Sequence, residues 1–155
     1  MISFDPAAYG PSIAALLTER LPELGPGSPI EPMRKSLESI DAPAACRAGL
    51  WLYHDFLDES HTISQDLHTA EGSFWHAIMH RREPDPSNSK YWWRLVGPHP
   101  VLEQLRNENV GFTTPQAFVD ECERVRGTGS PAEDRAKQLQ HLEWRLLFDW
   151  CWRNS

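Results

Sequence analysis

Cysteine is scarce in this sequence, and its placement excludes more than its number. Cys46, Cys122 and Cys151 are odd in count and far apart, with no Cys-x-x-Cys pair. Neither a disulfide framework nor a thiolate zinc knuckle is indicated, and reduced thiols of the cytoplasm fit best. Positive charge is also short: 15 Lys and Arg against 22 Asp and Glu leave a formal net charge of −7. Polyphosphate chains are bound by Lys and Arg that displace condensed counterions, so nucleic acid is not an expected partner. No apolar run approaches the ~20 residues that span a bilayer. The opening Met1-Ile2-Ser3-Phe4-Asp5 lacks the basic flank and apolar stretch of an export signal. A cytoplasmic protein without membrane contact is expected. There is no glycine-rich phosphate loop, dinucleotide fingerprint or Gly-x-Ser-x-Gly elbow, and strand-like alternation is nearly absent.

What the chain does have is helix punctuation. At 155 residues it is long enough for one core, since folding at this size hides roughly 70% of the unfolded surface. Pro11 to about Leu21 aligns Ile13, Leu16, Leu17 and Leu21 on one stripe and stops at Pro22. A short helix is expected near Pro32–Ile40. Asp41 can cap a further helix with Pro43 in its first turn, running through Ala44, Ala45, Ala48, Leu52 and Phe56 to at least Leu57. Its small residues suggest a close neighbour. Glu71–Glu83, Ser87–Val96 with a stop at Gly97, Pro100–Leu105 and Pro115–Val125 follow. Ser130-Pro131-Ala132-Glu133 reads as a capping box that launches the longest helix, about Pro131–Trp152. The expected fold is all-α over residues 1–155: a single-domain bundle of about seven helices, with the long C-terminal helix packing on a central His-rich helix pair.

Five of the seven histidines fall between His54 and His80, among Asp55, Asp58, Glu59, Asp66, Glu71 and Glu83. Residues three and four apart share a helix face. His76, His80 and Glu83 form one such stripe. His54, Asp58, His61, Gln65 and His68 form another if the helix continues unbroken past Leu57. Facing helices that project histidines and carboxylates inward are how helical bundles build metal centres, and three such ligands with an open position suit Zn²⁺ or Fe²⁺. The competing reading is a solvated polar face, because the His54 stripe lies opposite Leu52, Phe56, Ile63 and Leu67. The His76 stripe is different: Tyr91-Trp92-Trp93-Arg94-Leu95-Val96 is apolar on nearly all sides, and aromatic cover over histidines describes a lined pocket.

These residues give two expectations from different classes. The first is a small-molecule site, metal-assisted and hydrolase-like. There His76 and His80, with His61 or Asp58 from the preceding segment, hold the metal or act as acid and base, and Glu83 orients a histidine or takes a proton. Arg81, Asn88, Lys90, Tyr91 and Trp92 contact the ligand, with Arg81 drawn to a carboxylate or an anionic group. The second is a non-catalytic interaction module or homo-oligomer in which the polar cluster is structural and the aromatics face a partner. Exposure of Trp92 and Trp93 as a patch favours the second, and a concave wall favours the first.

The stretches Asp58-Glu59-Ser60-His61-Thr62-Ile63-Ser64-Gln65 and Ser73-Phe74-Trp75-His76-Ala77-Ile78-Met79-His80-Arg81-Arg82-Glu83-Pro84-Asp85, with Asn88-Ser89-Lys90-Tyr91-Trp92-Trp93, resemble a family of bacterial and fungal proteins with no established activity. The resemblance covers roughly the middle third of the chain. It implies that these segments form the family's shared centre, and it carries no cofactor or reaction with it.

Overall fold

Prolines and side-chain caps set most of the helix starts, because a first-turn proline gives up an N–H that has no intrahelical partner anyway. A computed structural model describes residues 4–155, so the reading of the first three residues as leaderless falls outside it. The helices are α1 (Pro11–Leu16), α2 (Arg34–Ser39), α3 (Ala44–Tyr53), α4 (Leu57–Ser64), α5 (Ala70–Arg82), α6 (Pro86–Val96), α7 (Pro100–Asn107), α8 (Pro115–Val125) and α9 (Pro131–Arg153). Short 3-10 turns cover Pro6–Tyr9 and Glu31–Met33, and no strand occurs among the described residues. Asp85, Thr114 and Ser130 each accept a backbone N–H at the starts of α6, α8 and α9. No described helix is long and apolar enough to cross a membrane.

Among the described residues nine α-helices replace the expected seven or so, and the breaks have identifiable causes. Helix α1 ends at Leu16 rather than near Leu21, and the Leu16 carbonyl is taken by the His54 ring at 2.7 Å. Pro43, not Asp41, stands at the start of α3. The helix expected to run to at least Leu57 stops at Tyr53, and a new one starts at Leu57, because Asp55 adopts a left-handed conformation with φ 67°. That conformation costs an L-residue roughly 1–2 kcal/mol. Two cations hold it: Asp55 accepts from Arg82 at 2.6 Å and from Arg20 at 2.9 Å. Gly27 lies against it, where a Cβ would meet the Asp55 Oδ2 at 2.5 Å. The capping box at Ser130 is half as expected. Its hydroxyl accepts from the Glu133 N–H at 3.2 Å, while the Glu133 carboxylate reaches back beyond the cap to the N–H groups of Gly127 and Gly129.

The buried apolar side chains form one cluster reaching from Tyr9 to Cys151. Helix α5 lies within it, against α4, α6 and α3. Close approach at α3 is enforced by Gly49, where a Cβ would come within 2.6 Å of the Trp75 ring. Hydroxyls then tie the helices laterally: Ser60 of α4 donates to the Ala48 carbonyl at 2.8 Å, and Ser89 of α6 to that of Ala77 at 2.7 Å. Cys46, Cys122 and Cys151 are all buried and unpaired. Burial pushes the thiols of Cys46 and Cys122 up to about 12 and about 11, so they remain protonated and inert at neutral pH.

Candidate metal and ligand site on the α4–α5 pair

Residues 65–69 turn the chain so that α5 runs back along α4, which brings His61 to the turn of α5 that carries His76 and His80. The ring centroids lie 4.6 Å apart for His61 and His76, 5.5 Å for His61 and His80, and 4.7 Å for His76 and His80. One ligand nitrogen from each lies within 4.8 Å of the other two. A zinc ion at about 2.0–2.1 Å from each nitrogen would need them ~3.3 Å apart, inside that 4.8 Å limit. Trp92 of α6 stacks on His76 at 3.7 Å with the planes 15° apart, forming an aromatic wall.

The three rings differ in how they are held. His80 is oriented by a bond between its Nδ1 and the Glu83 carboxylate one turn on. Metal-ligating histidines commonly hold one ring nitrogen on a carboxylate so that the other points at the ion. His76 is only 3% exposed, and its buried Nδ1 has no hydrogen-bond partner among the described residues. Burial, with His80 and His61 beside it, pushes its pKa down to about 3, so it is a neutral imidazole at physiological pH. A neutral, partnerless nitrogen is the form that coordinates a metal or accepts a ligand proton. His61 is half-buried and completes the group from α4.

The remaining expected site residues divide. Asp58 is exposed on α4 and lies outside the three-histidine group. Arg81 turns away from the three histidines: it is fully buried, makes two hydrogen bonds to Glu143 at 2.7 and 3.0 Å and one to Gln140, and lies over the Phe118 ring. The expectation that Arg81 holds an anionic ligand is therefore corrected in favour of its other branch, an internal carboxylate. Arg82 is equally committed, to the carbonyls of Gly25 and Leu52 and to Asp55. Lys90 pairs with Asp120 of α8 at 2.6 Å. Asn88 and Tyr91 are exposed on α6, and Tyr91 meets Arg94 rather than the histidines. Trp92 alone of that helix's candidates reaches the histidine group.

The stripe drawn through His54 does not exist, because the α3–α4 break turns His54 into the core. Two residues were missed. Asp85 forms a second group with His80 and Glu83 whose ligand atoms lie within 4.8 Å of one another; its position two residues after Glu83 was the available signal. His99 is nearly fully buried, accepting the Val101 N–H at 3.1 Å and donating to Glu71 at 2.7 Å, so it caps α7. Its place before Pro100 could have marked it as that cap. No family model, curated protein or solved structure matches the chain.

Proposed function

We propose that His61, His76 and His80 hold a divalent metal, Zn²⁺ or Fe²⁺, with an open position for a small-molecule substrate, and that the protein is a metal-assisted hydrolase. The observation that carries this reading is the convergence of three imidazoles from two helices, one with a buried, partnerless nitrogen and one oriented by Glu83. Three histidines leave a tetrahedral ion one vacant position, where water is activated to add across the bond being cleaved. Glu83 acts by positioning His80, and Trp92 covers His76. The stretches that carry the resemblance to a bacterial and fungal family contain all five of these residues.

Helix α9, expected to pack on the His-rich pair, packs chiefly on α3, α7 and α8 and reaches α5 through side chains. It meets α5 through Arg81–Glu143 and through Trp75 and Trp144, whose rings are 6.1 Å apart. Three buried, unpaired cysteines agree with a reducing, cytoplasmic setting. The interaction-module reading keeps one observation of its own, since Tyr91 and Leu95 stand exposed one turn apart on α6. Trp93, by contrast, is in the core and offers no surface. Light scattering separates the two: a concentration-independent monomer counts against association.

The direct test is metal analysis of protein purified without a histidine tag or chelator. About one metal ion per chain is expected, lost in His76→Ala and His80→Ala. A metal-free protein whose unfolding is unmoved by Zn²⁺, Fe²⁺, Mn²⁺ or Ni²⁺ removes the proposal.

A further inference from the structure

One face of α9, with Val110 from the segment between α7 and α8, walls a cavity of about 500 Å³, a size ordinary for small-molecule pockets. Leu139 and Leu142 line it, and Val110 is left 46% exposed at its rim. His141 and Arg145 stand at one end. Of the arginines that are buried or half-buried, Arg20, Arg34, Arg81, Arg82 and Arg126 each donate to a carboxylate and Arg47 to the Ala42 carbonyl. Arg145 is the exception: it is half-buried, lies over the Phe4 ring at 5.5 Å, and makes no hydrogen bond among the described residues. Only its Nε is sealed from solvent, so the two terminal nitrogens, the ones that grip an oxyanion, are open. His141, one turn before it, likewise has its Nδ1 sealed and its Nε2 open and unused. Burial, with Arg145 and Arg20 nearby, pushes the His141 pKa down to about 4, so at neutral pH the ring is uncharged. Arg20 is already taken by Asp55, which leaves Arg145 as the free charge at this end.

We propose that this cavity binds a small organic acid, its carboxylate held by Arg145 and His141 and its apolar body laid over Leu142, Leu139 and Val110. The site is separate from the three histidines and does not depend on the metal reading. A free guanidinium matches a carboxylate through two parallel N–H···O bonds, and a neutral imidazole protonated at Nε2 donates to the same anion. His141, Leu142 and Arg145 are spaced to share one helix face, which puts apolar wall directly beside the charge. Asp134 is the one carboxylate among the lining residues. It lies eleven residues before Arg145, about 16 Å along the helix axis, and Arg135 beside it offsets its charge. The cavity is thus cationic at the Arg145 end and balanced at the other, which favours a ligand with one anionic head.

The test uses metal-free protein, so that no carboxylate is held by an ion at the histidines, and three compounds that differ only in their head group: 4-phenylbutanoate, 4-phenylbutan-1-ol and 4-phenylbutan-1-amine. Calorimetric titration should show the acid binding about tenfold tighter than the alcohol, equivalent to about 1.4 kcal/mol, and the amine weakest. Arg145→Met, which keeps an unbranched stem against Phe4, should bring the acid down to the alcohol's affinity, whereas His76→Ala should leave it unchanged. In the wild type, nuclear Overhauser contacts should join the phenyl protons to the methyls of Leu139, Leu142 and Val110, a readout that stands even if the Arg145 variant does not fold. Equal affinities for acid and alcohol, or no binding of the acid at millimolar concentration, overturn the proposal. So do an acid preference that survives Arg145→Met, one that is lost in His76→Ala, and phenyl contacts that fall only on other methyls.

Discussion

On one side of α5, Arg81 and Arg82 sit deep among apolar side chains and meet Glu143 and Asp55 with short charge-assisted bonds. On the side facing α4, His76 and His80 are nearly as deeply placed, yet His76 has a buried ring nitrogen with no partner. The two clusters share a helix and a burial but obey different constraints. A buried charge without its counterion costs several kcal/mol, so the arginines can exist only as part of the scaffold. A neutral imidazole with an unmet nitrogen costs roughly 1–3 kcal/mol, which a fold can carry where the nitrogen has another use. An unpartnered buried nitrogen does not mark a site alone, since Arg81 Nε, Trp75 Nε1, His54 Nδ1 and His141 Nδ1 are also without partners among the described residues; what sets His76 apart is that it lies beside two further imidazoles, those of His61 and His80.

The comparison breaks first at Arg81 if it is wrong. Arg81→Ala strands the Glu143 carboxylate, 1% exposed at its side chain, and should cost about 3–5 kcal/mol in urea unfolding. Replacing both partners, Arg81→Met with Glu143→Met, should recover most of that loss, which keeps the test readable if the single variant does not fold. A single variant within about 1 kcal/mol of wild type would show the pair to be marginal. Trp75→Ala, which empties a fully buried site packed on Gly49 and Trp144, belongs in the same range of about 3–5 kcal/mol.

Metal linkage sharpens the other side. Zinc at a hundredfold excess over its dissociation constant should stabilise the wild type by about 2.7 kcal/mol. The same addition should do nothing for His76→Ala and should act fully on His68→Ala, since His68 is exposed and outside the group. Stabilisation that survives loss of His76 would locate the metal elsewhere.

Acid acts on a third polar region, away from the three histidines. Burial, with Arg145 and Arg20 nearby, pushes His141 from its ordinary 6.5 down to about 4, and burial lowers His54 as well. His141 faces the Tyr53 ring and His54 faces Tyr53 and the Leu16 carbonyl. Because the unfolded chain takes up the proton first, stability is full above pH 6.5 and falls as pH drops toward 4. Each histidine contributes at most about 1.4 kcal/mol per pH unit. His141→Gln should flatten the slope by one proton relative to wild type, a difference that cancels the contributions of other histidines. Identical slopes would show that His141 titrates normally.

How much of this was legible in the sequence follows the range of the interactions. Thr114-Pro115 and Ser130-Pro131 set helix starts through bonds spanning three residues, and the starts lie where those signals place them. The α3–α4 break was not legible, because the left-handed Asp55 is held by cations 27 and 35 residues away in sequence. Nothing in the window around Asp55 announces them. The same holds for Arg81, whose partner Glu143 lies 62 residues on; the sequence draws Arg81 to a carboxylate or an anion without saying which. His76, His80 and Glu83 were legible as an i, i+4, i+7 stripe, whereas His61 was reached through a stripe that began wrongly at His54. Its place in the group comes from the turn at residues 65–69 and the pairing of α4 with α5.

The smallest expected effect is the most discriminating. His76→Ala and His80→Ala, made metal-free, should each cost less than about 1.5 kcal/mol, because two consequences of the truncation oppose one another. Loss of the imidazole removes stacking on Trp92 and on the neighbouring histidine, a packing loss. In His76 it also removes a buried nitrogen that has no partner, which returns part of a desolvation penalty of roughly 1–3 kcal/mol. His80 gives up its bond to Glu83, but that carboxylate is 43% exposed at its side chain and regains water. Residues that serve a site are seldom those that serve the fold best, so their removal is tolerated where Trp75 or Arg81 is not. Urea unfolding in the presence of chelator isolates the packing contribution from lost metal binding. Histidine variants that unfold as readily as Trp75→Ala would put His76 and His80 in the same structural class as the arginines, and the distinction between the two sides of α5 would fall with them.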